Sequence, residues 1–297
     1  MGYTFHEHGV PIVNAATCTA CGLCVRICAD EVLSLKDGKV QAGPGQFFGC
    51  IACGHCMAVC PTGSIAVSGR DLTPEDRIEL PTPDREATPD QLEALTTVRR
   101  SVRRFQAQEV PRELLDRIIQ ITSTAPMGIP PSDVGVVVFP TRRSVQVFTA
   151  EACDSFAKMG RFLNPVMLAL MRPFIGKIQY EGFRDFIRPL LKMLPEMLKQ
   201  GRDLFTYDAP AALLFHGDPG DAMIAATYAM LAAESLGLGS CMLGTTVALT
   251  QNKPLKAKYG IPATDKIGVA LVLGYPDVKF QHAIRRRLAS VRFVEES

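Results

Sequence analysis

Eight of the ten cysteines occupy two copies of one spacing, C-x2-C-x2-C-x3-C. Cys18, Cys21, Cys24 and Cys28 form the first copy; Cys50, Cys53, Cys56 and Cys60 form the second, with Pro61 directly after it. The copies agree between the thiols as well: TACGLCVRIC over 19–28 matches IACGHCMAVC over 51–60 at an alanine, a glycine and every cysteine. Three thiolates so spaced wrap three irons of one compact cube, and the fourth points away to a second cube. Zinc sites favour separated C-x2-C pairs with His or Cys partners. A disulfide between cysteines three apart has poor geometry. The predicted cofactor is therefore a pair of [4Fe–4S] clusters. Ala29, not Pro, follows Cys28, but that position is not a ligand. His55 lies inside the second run, where thiolates already fill the sites.

The second chemical signal is Arg99-Arg100-Ser101-Val102-Arg103-Arg104-Phe105. Guanidinium forks bind phosphate oxygens bidentately, and a serine hydroxyl adds a short directional bond. On its own such a run also fits a solvated face or a nucleic-acid patch. Other nucleotide signals are absent. Gly237-Leu238-Gly239 lacks the third glycine of a dinucleotide fingerprint and follows a helical pattern instead of a strand. Cys153 and Cys241 read as unligated core thiols.

These groups need elements to hold them. A chain of 297 residues is long enough for two domains with a real core. Short strands are predicted at Pro11–Asn14, Val32–Leu35, Val40–Gln41 and Ile65–Val67, with a Lys36-Asp37-Gly38 turn making a hairpin. Residues 1–68 thus form a cluster module. Residues 69–90, with four prolines and seven acids, read as an exposed linker. From Gln91 to 297 the pattern turns to helices and strands. Helices are predicted at 91–98 and 111–122, the second with Pro111 at its first position. Val134–Phe139, Ala211–Phe215 and Ile267–Leu273 are nearly continuous apolar strands, which need cover on both faces. A long helix over Asp221–Leu236 ends at Gly237. The fold class predicted is α+β: a small cluster domain, then a central mixed β-sheet flanked by helices.

Residues 155–205 are rich in Met, Phe and Leu, and carry nine Lys or Arg against four Asp or Glu between Lys158 and Asp203. The plain reading is a helical insertion or lid that covers the active site or a dimer seam. Contact with an acidic electron donor, or peripheral contact with an anionic membrane, is the sharper alternative. The net charge of +2 gives no case for nucleic acid as a main ligand. MGYTFHEHGV has no basic or apolar signal region, and His6 fails the myristoylation pattern. No apolar run reaches transmembrane length. Oxygen-labile clusters without an export signal predict a cytoplasmic location.

The cysteine runs resemble those of bacterial two-cluster ferredoxins. That resemblance implies one cluster on Cys18, Cys21, Cys24 and Cys60, and the other on Cys50, Cys53, Cys56 and Cys28. RRSVRRF resembles the flavin-phosphate motif of the nitroreductase family, standing as it does ahead of an amphipathic helix. The loop Thr124-Ala125-Pro126-Met127-Gly128-Ile129-Pro130-Pro131, the stretch from Ala232 to Gly244 and the closing Leu273-Gly274-Tyr275-Pro276 are similar to further parts of that family. Together the two halves resemble ferredoxin–nitroreductase fusion proteins. The resemblance implies FMN, with Arg99, Arg100, Ser101 and Arg103 on its phosphate and ribityl end. Pro126, Met127 and Gly128 would lie beside the ring, Met242, Leu243 and Gly244 would meet it from the other segment, and Arg286 would complete the phosphate site. It also implies a homodimer with 275–297 as a C-terminal arm. Many relatives carry an Asn and a Gln-Pro-Trp after the ring loop, where this chain has Pro130-Pro131-Ser132-Asp133 and no tryptophan at all.

The implied activity is that of an FMN-dependent oxidoreductase. Electrons from a one-electron donor, such as a reduced ferredoxin, would pass through the clusters to FMN and on to a nitro, quinone or similar conjugated acceptor. The redox chemistry belongs to the cofactors, so no catalytic side chain is assigned. Two other readings stay open: a redox carrier between protein partners, and an NAD(P)H-dependent flavin reductase with outward flow through the clusters.

Overall fold

The computed structural model describes residues 7–128 and 133–294. In the cluster module, β1 (Val10–Val13) pairs antiparallel with β4 (Ile65–Ser68), and β2 (Leu33–Lys36) with β3 (Lys39–Ala42). The β2–β3 loop is Asp37-Gly38, both residues at positive φ. That is the backbone twist a two-residue hairpin requires. Two five-residue helices, α1 (Leu23–Ile27) and α2 (His55–Val59), start within the cysteine runs. Their first caps are Gly22 and Gly54, with φ of 75° and 72°, a conformation open to glycine without steric cost. Cysteines serve as core here: Cys24 packs with Leu33, Val40 and Ile65 in one small cluster.

The connector is mostly exposed, with short 3₁₀ turns at Pro74–Asp76 and Pro83–Arg85. Its first residues are not free coil, because Leu72 packs beside Ala52, Met57 and Val67. Helix α3 (Pro89–Val98) follows, closed at its start by a Thr88–Gln91 capping box.

The larger domain is built on a sheet of order β5-β6-β8-β7, where β5 is Gly135–Phe139, β6 Ala211–Gly217, β7 Gly239–Leu243 and β8 Lys266–Gly274. The four strands are antiparallel, and a parallel bridge from Ser101 to Ser240 makes the sheet mixed at its β7 edge. Strands β6 and β8 read as unbroken apolar runs because both faces are covered. Ala212, Leu214, Ala270 and Val272 face one core with Phe148 and Phe156; Leu213, Phe215, Val269 and Leu271 face the other with Ile118 and Ala229. The alternation is the period of two that a strand imposes.

The first face is covered by α5 (Arg142–Phe162) and α7 (Arg188–Lys199), the second by α4 (Arg112–Thr122) and α8 (Pro219–Ser235). Helix α8 presents alanines to the sheet, and a side chain at Gly268 would meet Ala222 Cβ at 3.0 Å, so the two approach closely. It begins at Pro219, ahead of the predicted Asp221, because the Asp218 carboxylate caps the Gly220 and Asp221 amides. It ends as expected at Gly237, with the Leu238 amide returning to the Ala233 carbonyl. Pro111 caps α4 from one residue outside it. Strand β7 was not legible as a strand: Gly-Ser-Cys-Met-Leu is short, and its pairing with β8 is what extends it. Phe148 is wholly buried and stacks on Phe139 with centroids 4.8 Å apart. Phe148→Ala is expected to cost about 3–5 kcal/mol, read as a lower denaturation midpoint at unchanged m-value.

Residues 155–205 finish α5 and continue through α6 (Pro165–Gly182), a π turn at Phe183–Ile187 and α7. The helical path breaks at Gly176, φ 75°, and not at Pro173. Leu168 is buried in the core, whereas Val166, Leu170, Phe174 and Ile178 are exposed. Among the described residues no helix is long and apolar enough to cross a membrane. Among the described residues, the tail after β8 (275–294) has no regular structure; Phe105 bridges Pro276, and 277–294 are exposed.

Candidate functional site

The eight thiols of the two runs ring two cavities. One is lined by Cys18, Cys21, Cys24 and Cys60; the other by Cys28, Cys50, Cys53 and Cys56. The fourth cysteine of each run therefore lines the cavity of the other run. Among the described residues no three His, Cys, Asp or Glu side chains converge on a point that would hold a single ion. Sulfur-lined space of this kind suits a cube ligated at its corners. The backbone that produces it repeats closely: Ala20 and Ala52 both have φ near 54°, and Cys28 and Cys60 share φ and ψ within one degree. Close approach is enforced at Gly9, where a Cβ would stand 2.9 Å from Cys50 Sγ.

The thiols differ in environment. Burial pushes Cys56 up to about 11, with the neighbouring thiols Cys50 and Cys53 adding to the effect. Burial also raises Cys24 and Cys50. Burial raises Cys60 too, but the Thr62 hydroxyl and the Ser64, Thr62 and Ile65 amides outweigh it and hold the thiol below its ordinary value. Thiolates are the ligand form, so hydrogen bonding prepares Cys60 while burial makes Cys56 depend on the metal itself. Sequence reasoning missed Asp30. Its buried carboxylate accepts the amides of Phe47, Phe48 and Gly49 at 2.8, 3.1 and 2.6 Å, fixing the loop that leads into Cys50. An acid two residues after Cys28, followed directly by Glu31, was the only signal.

The arginine run lies along the β7 edge. The Val102 amide donates to the Ser240 carbonyl at 2.9 Å, and a Cβ at Gly239 would meet Val102 at 2.5 Å. Extended backbone sends alternate side chains to opposite sides. Ser101, Arg103 and Arg99 surround the Cys241 thiol, which burial raises and these three neighbours draw partly back. Arg103 lies over the Tyr207 ring at 5.9 Å. Arg100 turns the other way: its guanidinium donates to the Thr97 carbonyl at 2.6 Å and to Ile284 at 3.5 Å. It stands with Val102 and Glu234 in a separate recess. Glu234 is raised by burial, against the opposing pull of Arg99 and Arg100. Ser240 Oγ is buried without a hydrogen-bond partner beside this run. Two cations and two hydroxyls at one sheet edge fit an anionic ligand group.

Of the residues predicted to lie beside the ring, Gly128 donates its amide to Asp221 Oδ2 at 3.0 Å, which ties the loop to the first turn of α8. Met127 and Met242 pack against the same core, the one beneath α4 and α8. Leu243 faces the opposite core, Gly244 opens a 3₁₀ turn with free space where a Cβ would stand, and Pro126 precedes Met127 in the loop. Ile129, Pro130, Pro131 and Ser132 lie outside the described residues. Arg286 is exposed on the tail, two residues past the Ile284 carbonyl that Arg100 reaches.

Antiparallel sheet, two covering helix layers and an edge-bound arginine motif define a flavin-type oxidoreductase domain, joined to a two-cluster module. Family comparison agrees: residues 96–275 match the nitroreductase family and residues 17–66 a 4Fe-4S dicluster domain. The chain belongs to the nitroreductase family, as an iron–sulfur flavoprotein oxidoreductase. Among solved structures it is similar to a nitroreductase with bound FMN from Bacteroides fragilis, at 18% identity and a TM-score of 0.50, over 69% of this chain and 99% of that one. It is also similar to the FMN-dependent nitroreductase NfnB from Mycobacterium smegmatis, solved in complex with NADPH, at 22% identity and a TM-score of 0.47, over 69% and 98%. No curated protein matches the chain.

Proposed function

We propose that this protein takes single electrons from a low-potential donor of the reduced-ferredoxin type and delivers them in pairs to a nitro, quinone or similar conjugated acceptor. The observation that carries this reading is the presence, in one chain, of two thiol-lined cavities and a sheet edge that carries Ser101 and Arg103 beside Cys241. Two one-electron sites beside a two-electron site is an arrangement for changing single electrons into pairs, and FMN supplies that conversion when bound. The protein's part is to hold and shield. Cys18, Cys21, Cys24 and Cys60 ligate one cluster; Cys50, Cys53, Cys56 and Cys28 ligate the other. Arg99, Ser101 and Arg103 take the flavin phosphate end, with Arg100 and Arg286 completing the positive surface. Pro126, Met127, Gly128, Met242, Leu243 and Gly244 border the ring. A homodimer in the cytoplasm, with 275–297 as an exchanged arm, suits the exposed apolar tail residues Ile284, Leu288 and Phe293.

The test is anaerobic reduction of the purified protein by a reduced ferredoxin and, in parallel, by NADPH and NADH, followed by flavin and cluster absorbance. Reduced ferredoxin is expected to fill both cofactors quickly, and nicotinamides slowly or not at all. Flavin reduced first by a nicotinamide would reverse the direction of flow and turn the search from substrates to protein acceptors.

A further inference from the structure

We infer that the two clusters sit at unequal potentials, with the Cys18–Cys21–Cys24–Cys60 site the more positive, and that Thr62 sets the difference by donating to Cys60. The inference rests on the cluster-ligand reading above and adds to it a tuning residue.

The internal repeat supplies its own control. Cys18 and Cys50, like Cys28 and Cys60, are 32 positions apart (50 − 18 and 60 − 28). The same offset pairs Thr62 with Asp30, Ser64 with Val32 and Thr17 with Gly49. Backbone does not distinguish the halves: Gly22 and Gly54 have φ, ψ of 75°, 1° and 72°, −4°, and Cys28 and Cys60 have −77°, 113° and −78°, 113°. Only side chains break the symmetry.

At Cys60 the Ser64 amide donates to Sγ at 3.2 Å, and the Thr62 hydroxyl stands 3.6 Å from the same sulfur. Thr62 Oγ1 also lies 2.6 Å from Ser64 Oγ, and Ser64 Oγ donates to Thr17 Oγ1 at 2.8 Å. A hydroxyl has one proton. Ser64 spends its proton on Thr17, so the Thr62 proton lies between Ser64 Oγ at 2.6 Å, the nearer acceptor with the larger share, and Cys60 Sγ at 3.6 Å. At the partner position, the Asp30 carboxylate only accepts, from three amides, and the Val32 side chain has no polar atom. Both cavities have apolar walls, from Pro11, Ile27, Val32, Leu33 and Ile51 around Cys28 and from Val13, Leu23, Val40 and Ile65 around Cys60. The ionisable neighbours of the Cys28 cavity are Asp30, His55 and Arg70, the last acting on Cys50. Asp30 and Arg70 oppose one another in sign, whereas no ionisable residue apart from cysteine lines the Cys60 cavity. The remaining polar differences are His55, whose counterpart in the other half is Leu23, and the hydroxyl chain. Donors to sulfur stabilise the reduced, more negative cluster and raise its potential.

The test is an EPR-monitored redox titration of the full anaerobic protein with both cofactors loaded, with iron content measured on every variant. The wild type is expected to show two midpoints, one cluster filling first. A tenfold preference for one site corresponds to about 59 mV. Thr62→Val should lower the upper midpoint and leave the other in place. Ser64→Ala should do the opposite, because it releases the Thr62 proton wholly to Cys60. Thr62→Ser, which keeps the hydroxyl, should restore the wild-type value and stands in should the valine variant fail to fold. A packing role would move Thr62→Val and Ser64→Ala in the same direction, and that result would overturn the proposal. Coincident wild-type midpoints, or midpoints that do not move while iron stays full, would overturn it too. A wild-type chain that binds no iron would instead sink the ligand reading, and this inference with it.

Discussion

Cys28→Ala empties the site built on Cys50, Cys53 and Cys56, and leaves the site of its own run loaded. This is the largest effect expected from any single substitution in the chain. The Cys28 thiol lines the second cavity and acts electrostatically on Cys50 and Cys56, while Cys60 acts on Cys24 across the module. Iron content should fall by about half, because one of two equal clusters is lost. Double variants identify which half. Cys28→Ala with Cys50→Ala removes a second ligand of the same cluster and should lose no more iron than either change alone. Cys28→Ala with Cys18→Ala strikes both clusters and should lose nearly all of it. The opposite pattern, with Cys18 and Cys28 non-additive, would mean that each run holds its own cluster. Ferredoxin-driven flavin reduction should fall to background in either single variant, since one gap breaks the path. Stability should fall as well: five-residue helices cannot stand alone, and the sulfurs form part of the small local cores.

Flavin loss without iron loss is expected from Arg103→Ala, and to a similar degree from Arg99→Ala. Arg103 and Ser101 lie within hydrogen-bond reach of the Cys241 thiol, and Arg99 acts electrostatically on both that thiol and Glu234. A hydrogen bond to a charged group is worth about 1.5–3 kcal/mol, which is roughly one to two orders of magnitude in dissociation constant. Arg103→Lys should recover part of that, because an ammonium keeps the charge but not the planar fork. Arg100→Ala is the graded control. Its guanidinium is committed to the Thr97 and Ile284 carbonyls, so its removal should weaken flavin binding by only a few-fold and loosen the tail. Flavin fluorescence released on denaturation, against iron per chain, measures both. Flavin retained at full stoichiometry in Arg103→Ala would remove the run from the phosphate site. Equal losses at Arg100 and Arg103 would mean that the alternation seen along the edge does not govern binding.

The residues alone determined whatever depends on short chain distances. Thiol spacing within eleven residues names a cluster, since three ligands on one tight loop reach one cube. Gly22 and Gly54, the Asp37-Gly38 hairpin, the capped end of α8 at Gly237 and the apolar runs of β6 and β8 are local statements of the same kind. What the sequence left open depends on partners far along the chain. Strand β7 exists because β8 pairs with it, and Arg100 parts from Arg99 and Arg103 because Ser101 and Val102 bind that edge more than a hundred residues away. An isolated basic run carries no such alternation. Asp30 was legible only as an acid, until the fold brought three amides to its carboxylate. The side chains that distinguish two cysteine runs of matching backbone are likewise set by packing. Thr62 reaches Cys60 and Ser64 along the local chain, but Thr17, 47 positions from Ser64, joins them through the closed β1–β4 pair. Spacing chose the cofactor; tertiary contact decided the environment in which each copy is held.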